Sequence, residues 1–406
     1  MMEWDNKRAL ERLKKFNFPR KTGTEALIQA RDIIFNDLKN VISDTKIEEF
    51  QFSNLLNKVL LMYGPIILII IFFKAWIWTF FLLVSVLFAF TQIIVFILLF
   101  FRIGPYTVCR LFKNKGRYTG YNIISSIPAR KEEKGVLILG AHFDTKSTPA
   151  IRRYAFPVAL YSMGLTTLLV IISGIILLFF GPSPLWLTLC IWIGATIELI
   201  SIAIYFFYNH ITNKSTGTVD NGSGVAIILE LAHLYASKPN EYLSLVFIAF
   251  DGEEVGLVGA SAFNYTHKED FLKRNTKMIS IDMIGGDYPL KIITKSGVPS
   301  INHGKSLAPV FDNIIQNLQN TQEKDSNNKI KNEASYLYFA SDHGPFYYAG
   351  FPSAAIFSKF KKEHTNKDTM ENLKPNTFEL CGKLIMGFIS DYDEILSNHS
   401  NEEFKR

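Results

Sequence analysis

The chain has 406 residues, of which 48% are hydrophobic and 20% charged, with 34 Phe and a formal net charge of +6. That composition excludes a disordered or collagen-like chain and is too apolar for an ordinary cytosolic enzyme. Three cysteines, Cys109, Cys190 and Cys381, cannot form a disulfide framework, so a stapled mini-protein is excluded as well.

In chain order, residues 1–56 open with a globular segment. A helix is predicted over Thr24–Leu38, where Ala26, Leu27, Ala30, Ile33, Ile34 and Leu38 fall at helical spacing. It follows the segment Pro19-Arg20-Lys21-Thr22-Gly23. Residues 57–101 form the first apolar block. A bilayer core about 30 Å thick asks for roughly 20 apolar residues per helix. This block supplies two such helices with a turn near Lys74, and Trp76 and Trp78 suit the interface. Residues 102–154 return to globular composition, with strands predicted at Tyr121–Ile127 and Gly135–Gly140. The second block, 155–208, is broken by Gly181-Pro182-Ser183-Pro184 into helices at about 155–180 and 185–208. Glu198 is its one internal charge, read as a protonated carboxyl bonded to a neighbouring helix.

Residues 209–406 then predict a helix at Val225–Ala236, buried strands at Leu243–Phe250 and Lys277–Asp282, and a surface loop at Thr321–Glu333. A strand at Pro352–Phe357 and a closing helix at Phe378–Leu396 follow. Alternating strands and helices indicate a layered α/β domain, interrupted by two transmembrane hairpins. Each hairpin returns the chain to the side it left. Lys46, Lys58, Arg102, Arg110, Lys113, Lys115, Lys146, Arg152, Arg153 and Lys214 lie on the shared side, against Lys74 across the membrane. The expected location is an integral, multi-pass membrane protein with its globular part in the cytoplasm. Asn-x-Ser/Thr triplets at Asn213, Asn221, Asn264 and Asn398 weigh slightly the other way.

The sequence shows no internal repeat, Gly-rich phosphate loop or Cys-Cys metal pair. Ionisable residues instead collect after the apolar strands. They are His142 and Asp144 in GAHFDT, Asp220 in TVDNGSG, Glu253 and Glu254 in FDGEEVG, Asp282 in SIDMIGG, and His364 in KEHTNKDT. In open α/β sheets, the carboxyl ends of strands are where ligands bind. Two imidazoles and three carboxylates without thiolate suit zinc or a similar divalent ion. Five donors are too many for one tetrahedral ion and suit two ions sharing a carboxylate.

This ordered set resembles the M28 metallopeptidases, co-catalytic dizinc exopeptidases that are mostly aminopeptidases. The resemblance spans nearly the whole globular part. It implies a three-layer zinc-exopeptidase-like domain with a mixed central sheet, two bound Zn²⁺ ions and peptide substrates. Carried over by position, it implies that His142 and Asp282 bind one metal, Glu254 and His364 the other, and Asp220 bridges them. Glu253 would be the general acid/base and Asp144 would support the His142 imidazole. Gly222 and Gly224 would let the chain turn after Asp220. His142 and Asp220 stand 78 positions apart, and 24 once the second apolar block is set aside, which is close to family spacing. The blocks therefore read as membrane anchors placed in loops. The second connects two ligands, which leads to the expectation of short or membrane-proximal peptide substrates.

Three readings follow. The first is a membrane-anchored aminopeptidase. The second is glutaminyl-peptide cyclisation, since HFDTK, DGEE and IDMIG resemble cyclase segments; DNGSG, EEVGLVGAS and the lack of a Trp before His364 favour the peptidase. The third is an inactive receptor or scaffold, ranked last because all five ligands and Glu253 are present. No nucleic-acid partner is expected. His343 is read as packing or supporting, Asp251 as a supporting or turn residue, and Asp368 as a support of the His364 loop. His210 is read as interfacial, and His233, His267, His303 and His399 as surface or capping residues.

Overall fold

The structure is a computed structural model that describes residues 3–53, 65–71, 82–97, 109–207, 212–287, 289–296, 300–321, 330–332 and 341–403. The chain divides into two compact units. One comprises Met1–Leu55, Val108–Ser147 and Asn213–Arg406, and the other Leu56–Thr107 and Thr148–Thr212.

The first unit begins with α1 (Asn6–Lys15), capped by Asp5, and α2 (Glu25–Lys39), whose N-cap Thr24 accepts a hydrogen bond from the Leu27 amide. Next come β1 (Thr45–Phe52), β2 (Tyr118–Ile127) and β3 (Gly135–His142). After the second unit's last segment, the chain resumes with helix Ser223–Ser237, then β4 (Leu243–Phe250), helix Val258–Leu272 and β5 (Thr276–Asp282). Strand β6 (Leu290–Ile293) precedes a two-stranded ribbon of β7 (Lys295–Ser296) and β8 (Ile301–Asn302). Helix Ala308–Thr321, β9 (Ile330–Asn332), helix His343–Ala349, β10 (Ser353–Phe357) and helix Pro375–Glu403 complete the unit.

Eight strands form one mixed sheet in the order β1-β2-β4-β3-β5-β10-β6-β9. The central strands β4, β3, β5 and β10 run parallel to one another, while β1 pairs antiparallel with β2, β2 with β4 and β6 with β10, and β9 runs parallel to β6. All eight residues of β3 and of β4 are buried, as expected of parallel strands covered on both faces. Alternation along β3 divides the core. Leu137 and Leu139 face the larger cluster, with Leu27, Ile228 and Phe388, whereas Val136 and Ile138 face Phe263, Phe346 and Phe351. Helices therefore cover both faces of the sheet, giving three layers.

The strands and helices predicted in this unit are present, most of them extending a few residues beyond the predicted bounds. Missing from the reading are α1, β1, Val258–Leu272, the short strands β6 to β9, and helices Ala308–Thr321 and His343–Ala349. The inward face of α1 uses the buried Arg12, and β1 is a charged edge strand, so neither of these two shows a clean apolar period. The expected loop at Thr321–Glu333 falls largely outside the described residues.

In the second unit, α3 (Leu82–Ile97), α4 (Ala150–Phe180) and α5 (Leu185–Phe207) are helical, and so are residues 65–71. The Gly181–Pro184 break separates α4 from α5 as the sequence predicts. Two spans, Tyr154–Phe180 and Leu185–Tyr205, are long and apolar enough to cross a membrane. The expected first hairpin, including Lys74, Trp76 and Trp78, lies mostly outside the described residues. Its described pieces are shorter than a span, so among the described residues two apolar helices stand where four were expected over the whole chain. Glu198 is buried in α5 and accepts a hydrogen bond from the Gln92 amide of α3, a partner on a neighbouring helix.

Candidate metal centre

The site lies in the first unit, where the parallel strands end. His142 is the last residue of β3 and Asp282 the last of β5. Glu253 and Glu254 follow the end of β4, and His364 lies past the end of β10. Asp220 precedes helix Ser223–Ser237 after a cis Asp220–Asn221 peptide. Three backbone positions shape this turn. Gly217 sits at φ +56°, and a Cβ there would lie 2.2 Å from Thr145 Cγ2. Gly224 is needed for close approach, since a Cβ would come within 2.5 Å of both Asn221 Oδ1 and the Ile281 carbonyl. Gly222 has an ordinary helical φ of −58°, but a Cβ there would come within 2.9 Å of the Gly217 carbonyl, so the turn expected from Gly222 and Gly224 is met by close approach at both, with Gly217 supplying the left-handed φ.

Two groups of ligand-type side chains converge, each with its donor atoms within 4.8 Å of one another: His142, Asp220 and Asp282, and Asp220, Glu254 and His364. Asp220 belongs to both. Its Oδ1 is 3.4 Å from His142 Nε2, and its Oδ2 is 3.1 Å from His364 Nε2. Asp282 Oδ1 lies 3.5 Å from His142 Nε2, and Glu254 Oε1 lies 3.1 Å from His364 Nε2. The donors fit a pair of divalent cations. Among the described residues, buried Glu254 Oε1 and Asp282 Oδ1 accept no hydrogen bond, and a buried carboxylate oxygen without a donor calls for a cation. The imidazoles express the same demand. Burial acts to lower the pKa of His142, yet Glu253, Asp144, Asp220 and Asp282 hold it well above the ordinary value. Burial acts to lower the pKa of His364, yet Glu254 and Asp220 together raise it to about 10. For Asp220, the two imidazoles overcome burial and hold the carboxyl far below its usual range.

The supporting contacts are backbone-directed. His142 Nδ1 hydrogen-bonds the Asp144 main-chain carbonyl at 3.2 Å, with Asp144 Oδ1 3.4 Å away, leaving Nε2 to face the ligand group. Asp144 also accepts hydrogen bonds from the Glu253 and Glu254 amides at 3.1 and 3.2 Å and from Thr22 Oγ1 at 3.0 Å. Glu253 belongs to neither ligand group among the described residues. Burial pushes its carboxyl well above the usual range, with Glu254, Asp282 and Asp342 adding to the rise and His142 opposing it. His364 adopts φ +56°, a left-handed conformation uncommon outside glycine.

Several side readings change. Asp368 accepts hydrogen bonds from the Val219 and Asp220 amides at 2.7 and 3.1 Å, so it secures Asp220 rather than only the His364 loop. Asp251 is buried and accepts from Thr22 Oγ1 and the Tyr121 amide. His303 is buried, not at the surface; its ring packs 4.9 Å from that of His343. His233 and His267 pair with Asp37 and Glu48. Residue 210 and the side chain of residue 399 are outside the described set. Sequence reasoning missed Lys146, whose Nζ is 3.1 Å from Glu254 Oε2, and Asp342, buried with both carboxylate oxygens free of hydrogen bonds among the described residues. Adjacency to HFDT and to His343 was the available signal for each.

Residues 203–389 match Peptidase family M28. Aminopeptidase YwaD of Bacillus subtilis (strain 168) is 29% identical over 182 residues, covering 42% of this chain and 36% of that protein. The chain thus spans about a third of the length of that relative. Among solved structures, a zinc aminopeptidase from Bacillus subtilis aligns with a TM-score of 0.56 at 14% identity, covering 97% of this chain and 96% of that one. A glutaminyl cyclase from an Acidobacteriales bacterium aligns with the same TM-score, identity and coverage. These likenesses establish the shared fold. Residues 203–389, somewhat under half of the chain, are thus similar to peptidase family M28.

Proposed function

We propose that this chain is a membrane-anchored, two-zinc aminopeptidase that removes N-terminal residues from peptides. The observation that carries this reading is the pair of ligand groups meeting at Asp220, with Glu253 beside them and outside both. His142 and Asp282 would hold one ion, Glu254 and His364 the second, and Asp220 both. Two bound zinc ions would lower the pKa of a shared water toward neutrality and stabilise negative charge on the scissile carbonyl oxygen. Glu253 would take the proton of that water and deliver it to the leaving amine. Asp144 fixes the His142 ring, so Nε2 is the atom offered to the ion.

A second reading, glutaminyl-peptide cyclisation, draws support from the HFDTK, DGEE and IDMIG segments and from a cyclase with an equal TM-score. An assay of aminoacyl-arylamides beside an N-terminal Gln peptide separates the two. Glu253→Gln should bind two ions as the parent does while turnover falls about 10²–10⁴-fold. Normal hydrolysis by that variant would remove Glu253 from the mechanism.

For the membrane, the two apolar helices and the further apolar block at 57–101 support four spanning helices, with the globular unit in the cytoplasm. Protease added to sealed right-side-out vesicles should leave the globular unit intact until the membrane is permeabilised. Digestion before permeabilisation would reverse the orientation.

A further inference from the structure

Residues 148–212 leave the first unit between two of its metal ligands, His142 and Asp220, and belong to the second unit. The two ligands therefore depend on noncovalent contacts to stay in register. Lys214 N donates to Ser147 Oγ at 2.9 Å, and Lys21 N to Asn213 Oδ1 at 3.1 Å, which brings the two chain ends together.

The larger connection is Arg20. Its side chain is fully buried, and no carboxylate pairs with it among the described residues. Its guanidinium donates instead to main-chain carbonyls on both sides of the 148–212 segment. Nε donates to Phe143 O at 2.6 Å, Nη1 to Thr216 O at 2.5 Å, and Nη2 to Gly217 O at 2.9 Å. Nη1 also reaches Phe16 O and Phe18 O at 3.3 and 3.2 Å. The backbone of Arg20 is tied to the same place, because its amide donates to Thr145 Oγ1 at 2.9 Å and its carbonyl accepts from Thr145 N at 3.2 Å. Phe143 is one residue from His142, and Gly217 is three from Asp220.

The residue type is specific to this task. A guanidinium directs its donors along a rigid planar fork, so one group can address carbonyls from separate segments at fixed angles, whereas a lysine offers a single nitrogen. Burial lowers its pKa to about 10, so the group is charged at neutral pH. That charge lies beneath a cluster of carboxylates, and Asp368, Asp144 and Asp220 favour it.

We infer that Arg20 is a positioning residue that staples the chain on both sides of the 148–212 segment and thereby sets the spacing of His142 and Asp220 for the shared ion pair. The inference rests on the two-metal reading above. Arg20 touches neither ligand side chain and acts through the Phe143, Thr216 and Gly217 carbonyls.

The test compares the full-length protein in detergent with Arg20→Gln, Arg20→Lys and, as a control for general destabilisation, Ile34→Ala in the core packing of α2. Zinc stoichiometry and affinity are measured by competition with a chelator, beside circular dichroism and steady-state kinetics. Arg20→Gln should bind zinc at least tenfold more weakly with unchanged helical content, and kcat should fall while KM holds. Ile34→Ala should lose thermal stability but keep its zinc affinity. Should Arg20→Gln not fold, Arg20→Lys is the variant to read, with the same expected tenfold loss. Millimolar methylguanidinium added to Arg20→Ala should restore part of the affinity. Parental zinc affinity in whichever Arg20 variant folds overturns this inference alone. A parent protein that binds no zinc overturns both the inference and the two-metal reading.

Discussion

Asp144 receives two successive main-chain amides, a threonine hydroxyl and one edge of an imidazole, so a single carboxylate orients His142, Glu253 and Glu254 together. Asp144→Asn preserves its shape but replaces one accepting oxygen with a donor facing amides that also donate. Zinc affinity in a chelator competition should fall about 10–100-fold, and an unchanged affinity would show that the amides alone hold the loop. The candidate ligands His142, Glu254 and Asp282 could be picked out in the sequence because each stands where an apolar run ends, which is where a parallel strand delivers side chains to a common edge, whereas Asp220 and His364 rested on the family resemblance. Thr22, Arg20 and Asp368 were harder to read. Thr22 acts through the Asp144 carboxylate, and Arg20 and Asp368 through backbone groups, in each case more than 100 positions away, and such contacts leave no periodic or spacing signal.

At the level of elements, α1, α2 and helix Ser223–Ser237 meet across a charged seam. Arg12 pairs with Asp37 and Glu230, and His233 Nε2 lies 2.8 Å from Asp37 Oδ1. Burial pushes the Asp37 carboxyl up, but the His233 hydrogen bond and the Arg12 and Lys15 charges more than offset it, leaving the pKa below its ordinary value of 3.8. A carboxyl depressed in the folded state stabilises the fold above its unfolded pKa, and this contribution disappears as pH falls through the folded value. Asp37→Asn should therefore lower the melting temperature near neutral pH, by about 1–3 kcal/mol of stability for hydrogen bonds to a charged group. Thermal melts should show this gap closing below about pH 4; a gap that persists at pH 2 would assign the loss to packing. The turn before Asp220 offers a second test. Gly217→Ala places a Cβ 2.6 Å from the Asp220 carbonyl at a left-handed φ, and should cost more than about 1–2 kcal/mol and weaken zinc binding with it. The charged seam also explains why α1 escaped the sequence reading, since its inward positions include an arginine where the helical pattern asks for an apolar residue.

For the whole molecule, the two units differ in how they could be read. Long uncharged runs announced the second, while the first required strand order, and nothing local says that β10 inserts between β5 and β6. Both excursions leave from secured points. Phe52 pairs with Tyr118 in the β1–β2 ladder, and Ser147 bonds Lys214. Loop length costs little once the ends are fixed, since each doubling adds about 0.6 kcal/mol. Replacing residues 56–107 and 148–212 by short Gly-Ser linkers should yield a protein that stays in solution without detergent and binds two zinc ions per chain, read by metal analysis after gel filtration. Aggregation, or loss of both ions, would show that the first unit needs the second to fold. The ordering of the ligands along the chain has a temporal meaning too. During synthesis, His142, Asp220 and Asp282 emerge well before His364, and β10 must slot beside β5 before His364 can reach Glu254 and Asp220. On the two-ion reading, a growing polypeptide brings one ligand group together early, and the second group waits for His364 to emerge and be placed, so hydrolysis is withheld until that last ligand arrives.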